Sequence, residues 1–342
     1  TWTLLIISLT TSTTITMASN HWLLAWLSLE LNTLSILPMM MKTPHPRMVE
    51  ATTKYFIIQA TAAASILFAS TINAWMTGHW SIINTNSTLT TTLATIAIML
   101  KLGVAPTHLW YPEILQGTPL YTAMLISTWQ KLAPLALLYM MHNNLSPHLL
   151  LTLAMISTVM GGWTGLNQTQ TRKILAFSSI AHMGWLLAAL AMNQPLTTLT
   201  MTTYLITTTA MFMALATTTS KTIHDTSTTW TAAPALMVAT MITLMSLGGL
   251  PPLTGFMPKW LIIKDLASAH LLPLSTALLM ASLPSLFFYT RLAYLTMLTN
   301  PPTTTNMKLK WRLTTTLNST ATLTLTAAAL LLPTTASLYN TT

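Results

Sequence analysis

Apolar runs of about 20 residues recur along the whole of this 342-residue sequence, and a helix of that length crosses roughly 30 Å of hydrocarbon. Bounded by proline, asparagine, glycine and charge clusters, the runs predict about eleven spans. They cover residues 1–19, 22–41, 55–77, 86–115, 119–141, 147–166, 173–193, 196–219, 231–267, 271–297 and 316–338. The expected fold class is therefore all-α and polytopic, a single membrane domain over 1–342. The fourth and ninth runs are longer than one crossing and are interrupted. The first, Trp2 to Met17, has no basic leading region and no A-x-A cleavage site, so it reads as a span and not a signal peptide. The chain starts at Thr1 without a methionine, which leaves room for residues ahead of it.

Loop charge tests the count, because consecutive loops of such a chain fall on alternate faces. Lys42, Arg47 and Lys54, then Arg172 and Lys173, then Lys221, then Lys308, Lys310 and Arg312 all fall on one face. The opposite loops at 20–21, 78–85, 142–146, 194–195 and 268–270 hold no Lys or Arg. By the positive-inside rule the N-terminus and the basic loops face the compartment of synthesis, and the C-terminus faces the other side.

Composition fits this picture and narrows the chemistry. Charged residues make up 6% and hydrophobic ones 52%, where a soluble domain carries about 25% charged. The net charge is +9, from 14 Lys and Arg against 5 acids. Those cations sit in short connections, which suits membrane topology and not a nucleic-acid surface. The absence of cysteine excludes disulfides, thiolate-held iron–sulfur clusters and a cysteine nucleophile. The abundant Met, Leu and Trp read as packing or lipid-facing residues, and the many Thr as helix residues whose hydroxyls bond back one turn.

The two interrupted runs share the pattern L-G-x-x-P: Leu102-Gly103-Val104-Ala105-Pro106 and Leu247-Gly248-Gly249-Leu250-Pro251, the latter followed by Pro252. Glycine and proline free backbone groups that lipid cannot satisfy, so such breaks survive only beside protein or a wet cavity. Paired breaks in corresponding halves are the sequence sign of a transporter repeat, with the ion path at the break.

Beyond the loop cations, few ionisable residues remain. Glu30 lies in the middle of the second span, Lys101 just before the first break, Lys131 mid-way along the fifth span and Lys259 after the second break. Each charge at a helix centre costs about 2.5–3.5 kcal/mol on insertion scales. A buried Glu–Lys pair that fixes helix packing accounts for Glu30 and one lysine. It does not account for three lysines sharing one acid, and a proton relay does. His108 and His182 extend that relay or are hydrogen-bonded packing residues. Glu113 serves proton uptake from the basic side or loop structure. Lys264 and Asp265 read as an interfacial pair, and Arg291 as a snorkelling side chain. No metal spacing and no nucleotide-binding or hydrolase motif occurs.

At these residues the chain resembles a known family, the antiporter-like membrane subunits of respiratory complex I in their vertebrate mitochondrial form. The matching strings are WLSLELN from Trp26, KLGVAPTHLWYPEILQGTPL from Lys101, TWQKLAP from Thr128, GLNQTQTRKILAFSSIAHMGW from Gly165 and SLGGLPPLTGFMPKW from Ser246. The likeness covers roughly residues 20–315. It implies two inverted five-helix repeats, approximately 22–141 and 147–297. It also implies roles: Glu30 and Lys101 as the pair of the first half, Lys131 as the connecting lysine and Lys259 as the terminal lysine of the second. The family's enzyme passes electrons from NADH to ubiquinone and pumps protons across the inner mitochondrial membrane. FMN, iron–sulfur clusters and ubiquinone would be bound by other subunits, and no cofactor by this chain. Partners would be the other membrane subunits and structural phospholipids such as cardiolipin. Basic loops and N-terminus would face the matrix and the C-terminus the intermembrane space. A stand-alone cation/proton antiporter and a structural scaffold are the competing readings.

Overall fold

The computed structural model describes residues 2–42, 45–85, 87–231, 233–298, 319–333 and 335. They are nearly all helical and form two compact units, Thr1–Ser157 and Thr158–Thr342. The first holds α1 (Trp2–Ala18), α2 (Trp22–Met40), α3 (Pro46–Thr77), α4 (Thr88–Leu102), α5 (Trp110–Gly117), α6 (Leu120–Ser127) and α7 (Leu132–Met140). The unit boundary falls within α8 (Pro147–Gly165). The second unit continues with α9 (Thr171–Met192), α10 (Gln194–Thr218), α11 (Ile223–Ser227), α12 (Pro234–Gly248), α13 (Phe256–Ser268), α14 (Leu272–Met297) and α15 (Ser319–Leu330).

Among the described residues five helices, α2, α3, α9, α10 and α14, are long and apolar enough to cross a membrane. The shorter apolar helices α1, α4 and α12 add to them. Large apolar side chains are exposed on the surface, and many Ser and Thr are buried beside a mainly apolar core. Along α2, Leu23, Leu24, Leu27, Leu31 and Leu34 are exposed while Ser28, Asn32, Thr33 and Ser35 are buried. Trp75 is 92% exposed and Trp163 70%, exposure that lipid tolerates and water punishes. The buried hydroxyls bond back along their own helices, as Thr16 does to the Thr13 carbonyl at 2.7 Å and Ser28 to that of Ala25 at 2.8 Å. That keeps the threonine-rich helices internally satisfied.

The spans expected at 86–115 and 231–267 are each two helices, α4 with α5 and α12 with α13. The span expected unbroken at 119–141 is also broken. α6 ends at Ser127, and a 3-10 turn at Trp129–Lys131 intervenes before α7. Pro134 explains the break, because it offers no N–H to the carbonyl of Gln130 one turn earlier. α3 starts at Pro46 and not at 55. His45 caps it, its Nδ1 accepting from the Arg47 N–H at 3.2 Å, and Pro46 fits the first helical turn. Arg47 and Lys54 are therefore helix residues and not loop residues. The expected span 316–338 is represented by α15. Lys308, Lys310 and Arg312 lie outside the described residues.

In the second unit, loops 166–170 and 219–222 are pinned by an antiparallel bridge between Gln170 and Thr222. Thr171 N–H donates to the Lys221 carbonyl at 3.2 Å, and Ile223 N–H to that of Thr169 at 3.0 Å. The short α11 that follows carries a capping box between Thr222 and Asp225. Arg291 Nη1 donates to the Leu166 carbonyl at 3.0 Å, satisfying an acceptor just past the end of α8.

Candidate functional site

In the first unit α4 ends at Gly103, whose φ of +68° places it in the left-handed region that closes a helix. A Cβ there would meet the Trp110 ring at 3.1 Å and the Tyr111 Cβ at 3.3 Å. Gly103 thus allows the chain to turn under the aromatic start of α5. Pro106 follows within the break, and Lys101 occupies the last turn of α4, where a cation suits the helix dipole.

Lys101 and Lys131 are both buried, and both line one small cavity of about 20 Å³. Its walls combine Asn32 from α2, Tyr55 and Gln59 from α3, Tyr111 from α5 and Gln130 beside Lys131 with apolar Leu29, Leu102, Trp110, Ile126 and Pro134. Gln59 donates to the Lys101 carbonyl at 3.3 Å, and Gln130 to the Asn32 side-chain oxygen at 3.2 Å. The Lys131 Nζ stands 4.9 Å from the centroid of the Tyr111 ring, within cation–π range. The Lys101 Nζ is buried with no hydrogen-bond partner among the described residues. Glu30, half-buried on α2, accepts from the Thr33 hydroxyl at 3.1 Å. Among the described residues it makes no direct ion pair with Lys101. An orphan amine in a partly polar cavity is costly as structure alone and well suited to take up and give back a proton.

In the second unit α12 ends at Gly248, and Gly249 closes it at φ +81°. A Cβ on Gly249 would lie 2.9 Å from the Lys259 Nζ, so the lysine of α13 occupies the space a side chain would fill. That Nζ donates to the Gly248 carbonyl at 2.9 Å and lies 5.9 Å from the centroid of the Trp185 ring. Pro251 and Pro252 follow on the exposed side of the turn. Gly255 approaches the Ser246 carbonyl so closely that a Cβ would lie 1.9 Å from its oxygen.

A second small cavity, of about 30 Å³, is lined by Lys259, His182 and Trp185 together with Thr200, Thr203, Tyr204, Thr207 and Ser246. The His182 ring lies 5.7 Å from that of Tyr204 and 6.5 Å from that of Tyr289. Its Nδ1 is 2.7 Å from the Ser178 carbonyl, which can only accept, so Nδ1 carries the proton and Nε2 is the basic nitrogen.

His108 is buried between the broken halves with Nδ1 3.3 Å from the Pro106 carbonyl. It does not line the Lys101 cavity. Glu113 pairs with Lys54 at 2.8 Å, and Lys54 also pairs with Glu50 at 2.7 Å, all on the exposed surface. Asp265 accepts from the Asn193 amide at 2.8 Å, and among the described residues it makes no ion pair to Lys264. Among the described residues no cluster of three or more His, Asp or Glu could hold a metal ion. The amides and phenols of the first cavity and the Tyr204 phenol of the second are neutral side chains, so the cost of buried charge does not point to them. Gln59, one of two amides within the third apolar run, was the readable signal.

Comparison with known proteins gives a consistent answer. Residues 19–285 match the family described as NADH:quinone oxidoreductase/Mrp antiporter, transmembrane, and residues 286–339 the NADH dehydrogenase subunit 2 C-terminus. The chain is 53% identical over 313 residues to NADH-ubiquinone oxidoreductase chain 2 of Carassius auratus, covering 92% of this chain and 90% of the relative. It is 51% identical over 312 residues to that of Xenopus laevis, with 91% and 90% covered. Among solved structures, a chain of respiratory complex I from Thermus thermophilus superposes with a TM-score of 0.83 at 25% identity, covering 97% of this chain and 79% of that one. A chain of the Mrp complex from Dietzia sp. shares the fold at 17% identity, with a TM-score of 0.78 and 87% and 61% covered.

Proposed function

The chain belongs to the NADH:quinone oxidoreductase/Mrp antiporter transmembrane family, and from that premise we propose that it is a proton-translocating membrane subunit of NADH:ubiquinone oxidoreductase. Its relatives carry that enzyme's name over nine-tenths of their length. The observation that carries the reading is the Lys101 amine, buried without a partner among the described residues in a partly polar cavity shared with Lys131.

In this reading Glu30, Lys101 and Lys131 hold and move protons in the first unit, and Lys259 with His182 in the second. His182 serves as acceptor through Nε2, since the Ser178 carbonyl fixes the proton on Nδ1. His108, held at Pro106, steadies the first break. Glu113, paired with Lys54, holds the start of α5 against α3. The chain carries no redox group of its own: FMN, iron–sulfur clusters and ubiquinone belong to other subunits, and electron transfer there drives charge movement here.

The architecture we infer has about eleven spans, with inverted repeats near 22–141 and 147–297. It is supported by one L-G-x-x-P break with an adjacent lysine in each half. The setting is the mitochondrial inner membrane, among the other membrane subunits of the complex and its phospholipids. Basic loops and N-terminus face the matrix, and the C-terminus faces the intermembrane space.

The test is proton pumping by the intact complex carrying Lys101→Met, reconstituted in liposomes, with quinone reduction followed in parallel. A lowered proton-to-electron ratio is expected, and an unchanged ratio would reject the relay. Cation exchange by the purified chain alone would instead select the stand-alone antiporter.

A further inference from the structure

The turn that carries Lys131 is held by 3-10 backbone bonds, from Lys131 N–H to the Thr128 carbonyl and from Leu132 N–H to that of Trp129. Thr128 ends α6 at φ −111° and ψ −70°, its N–H still donating to the Met124 carbonyl at 3.0 Å, and Pro134 gives the Gln130 carbonyl no N–H four residues on. Between them Trp129–Lys131 is one 3-10 turn, closed by Lys131 N–H donating to the Thr128 carbonyl at 3.3 Å. Such turns have poorer hydrogen-bond geometry than an α-helix, and inside a helix they mark hinges.

The Gln130 side chain adds to these backbone bonds. Its Nε2 donates to Asn32 Oδ1 on α2 at 3.2 Å. Its Oε1 accepts from the Tyr55 hydroxyl on α3 at 3.5 Å, the longer and weaker of the two bonds. One amide is thus held at both ends by two other helices. Successive residues of a 3-10 turn are about 120° apart, so fixing the direction of Gln130 fixes that of Lys131. Both side chains line the cavity that holds Lys101.

We propose that Gln130 is a positioning residue for proton transfer: its amide, anchored chiefly by Asn32, sets where the Lys131 amine stands in that cavity. The proposal rests on the relay reading of Lys101 and Lys131. A packing role alone would need only the volume of Gln130, whereas positioning needs the amide-to-amide bond.

The experiment uses the intact complex, with proton-to-electron ratio, its pH profile and assembly measured together. Gln130→Leu keeps the bulk and removes the amide. Gln130→Asn shortens the bridge, and the swapped pair Asn32→Gln with Gln130→Asn rebuilds it at the same total length. Proton flux through this chain is expected to fall about fivefold in Gln130→Leu, the population change that loss of one neutral hydrogen bond permits. Its pH profile should shift, and the swapped pair should recover both. Wild-type flux and profile in Gln130→Leu overturn the proposal, and so does a fall in flux that the swapped pair fails to restore. Should Gln130→Leu fail to assemble, the swapped pair against Gln130→Asn decides alone: equal flux in the two overturns it. Lys131→Met separates the two levels. Normal pumping there removes the relay reading itself, while lost pumping there with a normal Gln130→Leu removes the positioning role and leaves the relay standing.

Discussion

The two broken helices share a sequence pattern but hold their lysines in opposite ways. Lys101 precedes its break, and among the described residues its buried amine touches no acceptor and makes no direct ion pair with Glu30. Lys259 follows its break and folds back onto the Gly248 carbonyl at 2.9 Å, in the space that Gly249 leaves open. Among the described residues no carboxylate lines its cavity. A backbone carbonyl at a helix end offers a fixed partial negative charge, whereas a carboxylate can itself be protonated. In the relay we propose, the lysine of the first unit answers to the state of Glu30 and that of the second to a fixed carbonyl seat.

The largest expected effect comes from removing the orphan amine. Lys101→Met keeps a long side chain but ends proton exchange at that point. Proton flux through this chain should fall by about 100-fold or more, the scale of a lost acid–base group, and proteoliposome pumping measures it. Lys259→Met should cost as much, yet it also frees the Gly248 carbonyl, so the complex should lose thermal stability as well. Equal stability in the two variants would mean that the carbonyl seat contributes nothing.

The closing glycines sharpen the contrast at the next level. Gly103→Ala and Gly249→Ala both force a side chain into left-handed backbone, at about 1–2 kcal/mol each, which comparable drops in thermal midpoint would register. Their functional costs should differ. Alanine at 103 presses on the rings of Trp110 and Tyr111, while alanine at 249 displaces the lysine itself. Flux should fall about tenfold for Gly249→Ala and measurably less for Gly103→Ala. The reverse order would undo the seat argument.

Hydrophobic length alone located most of the helices, and the insertion cost of charge was enough to single out Glu30, Lys101, Lys131 and Lys259. What escaped was local chemistry. The break before Lys131 was written in Pro134, but a proline three residues past a lysine draws little attention inside a long apolar run. The early start of α3 lay in His45-Pro46, a cap made by an imidazole and not by the usual hydroxyl or carboxylate. Asn32, Gln59, Tyr55 and Gln130 are neutral, so nothing in their type separates a cavity wall from ordinary packing. Only their convergence on two lysines does so. His108, read from its place beside the break as a relay or a packing residue, has Nδ1 3.3 Å from the Pro106 carbonyl and does not line that cavity.

The connecting segments differ between the units too, with smaller consequences. In the second, Asp225 Oδ2 accepts from the backbone of Lys221 at 3.0 Å and of Thr222 at 2.9 Å, holding the basic loop. Partial burial pushes the Asp225 carboxyl up, but the backbone N–H groups of Thr222 and Lys221 outweigh it and hold the group below the ordinary 3.8. Its folded value is depressed, so its stabilisation is present above about pH 3.8 and is lost as pH falls through the lower folded value. Asp225→Asn should remove that pH dependence, and Thr222→Ala should cost about 1 kcal/mol of local stability. Hydrogen exchange in 219–227 would report both, with pumping unchanged.

In the first unit the corresponding surface is tied by charge instead, with Lys54 shared between Glu50 and Glu113. Exposed ion pairs gain little and are screened by salt. Glu113→Gln leaves Lys54 its bond to Glu50 at 2.7 Å, so it should be the mildest of these changes. Pumping should match wild type at physiological salt, and any loss in thermal midpoint should shrink as ionic strength rises. A clear fall in proton flux at normal assembly would instead place Glu113 on the uptake path from the basic side. The surface difference between the units would then be functional as well as structural.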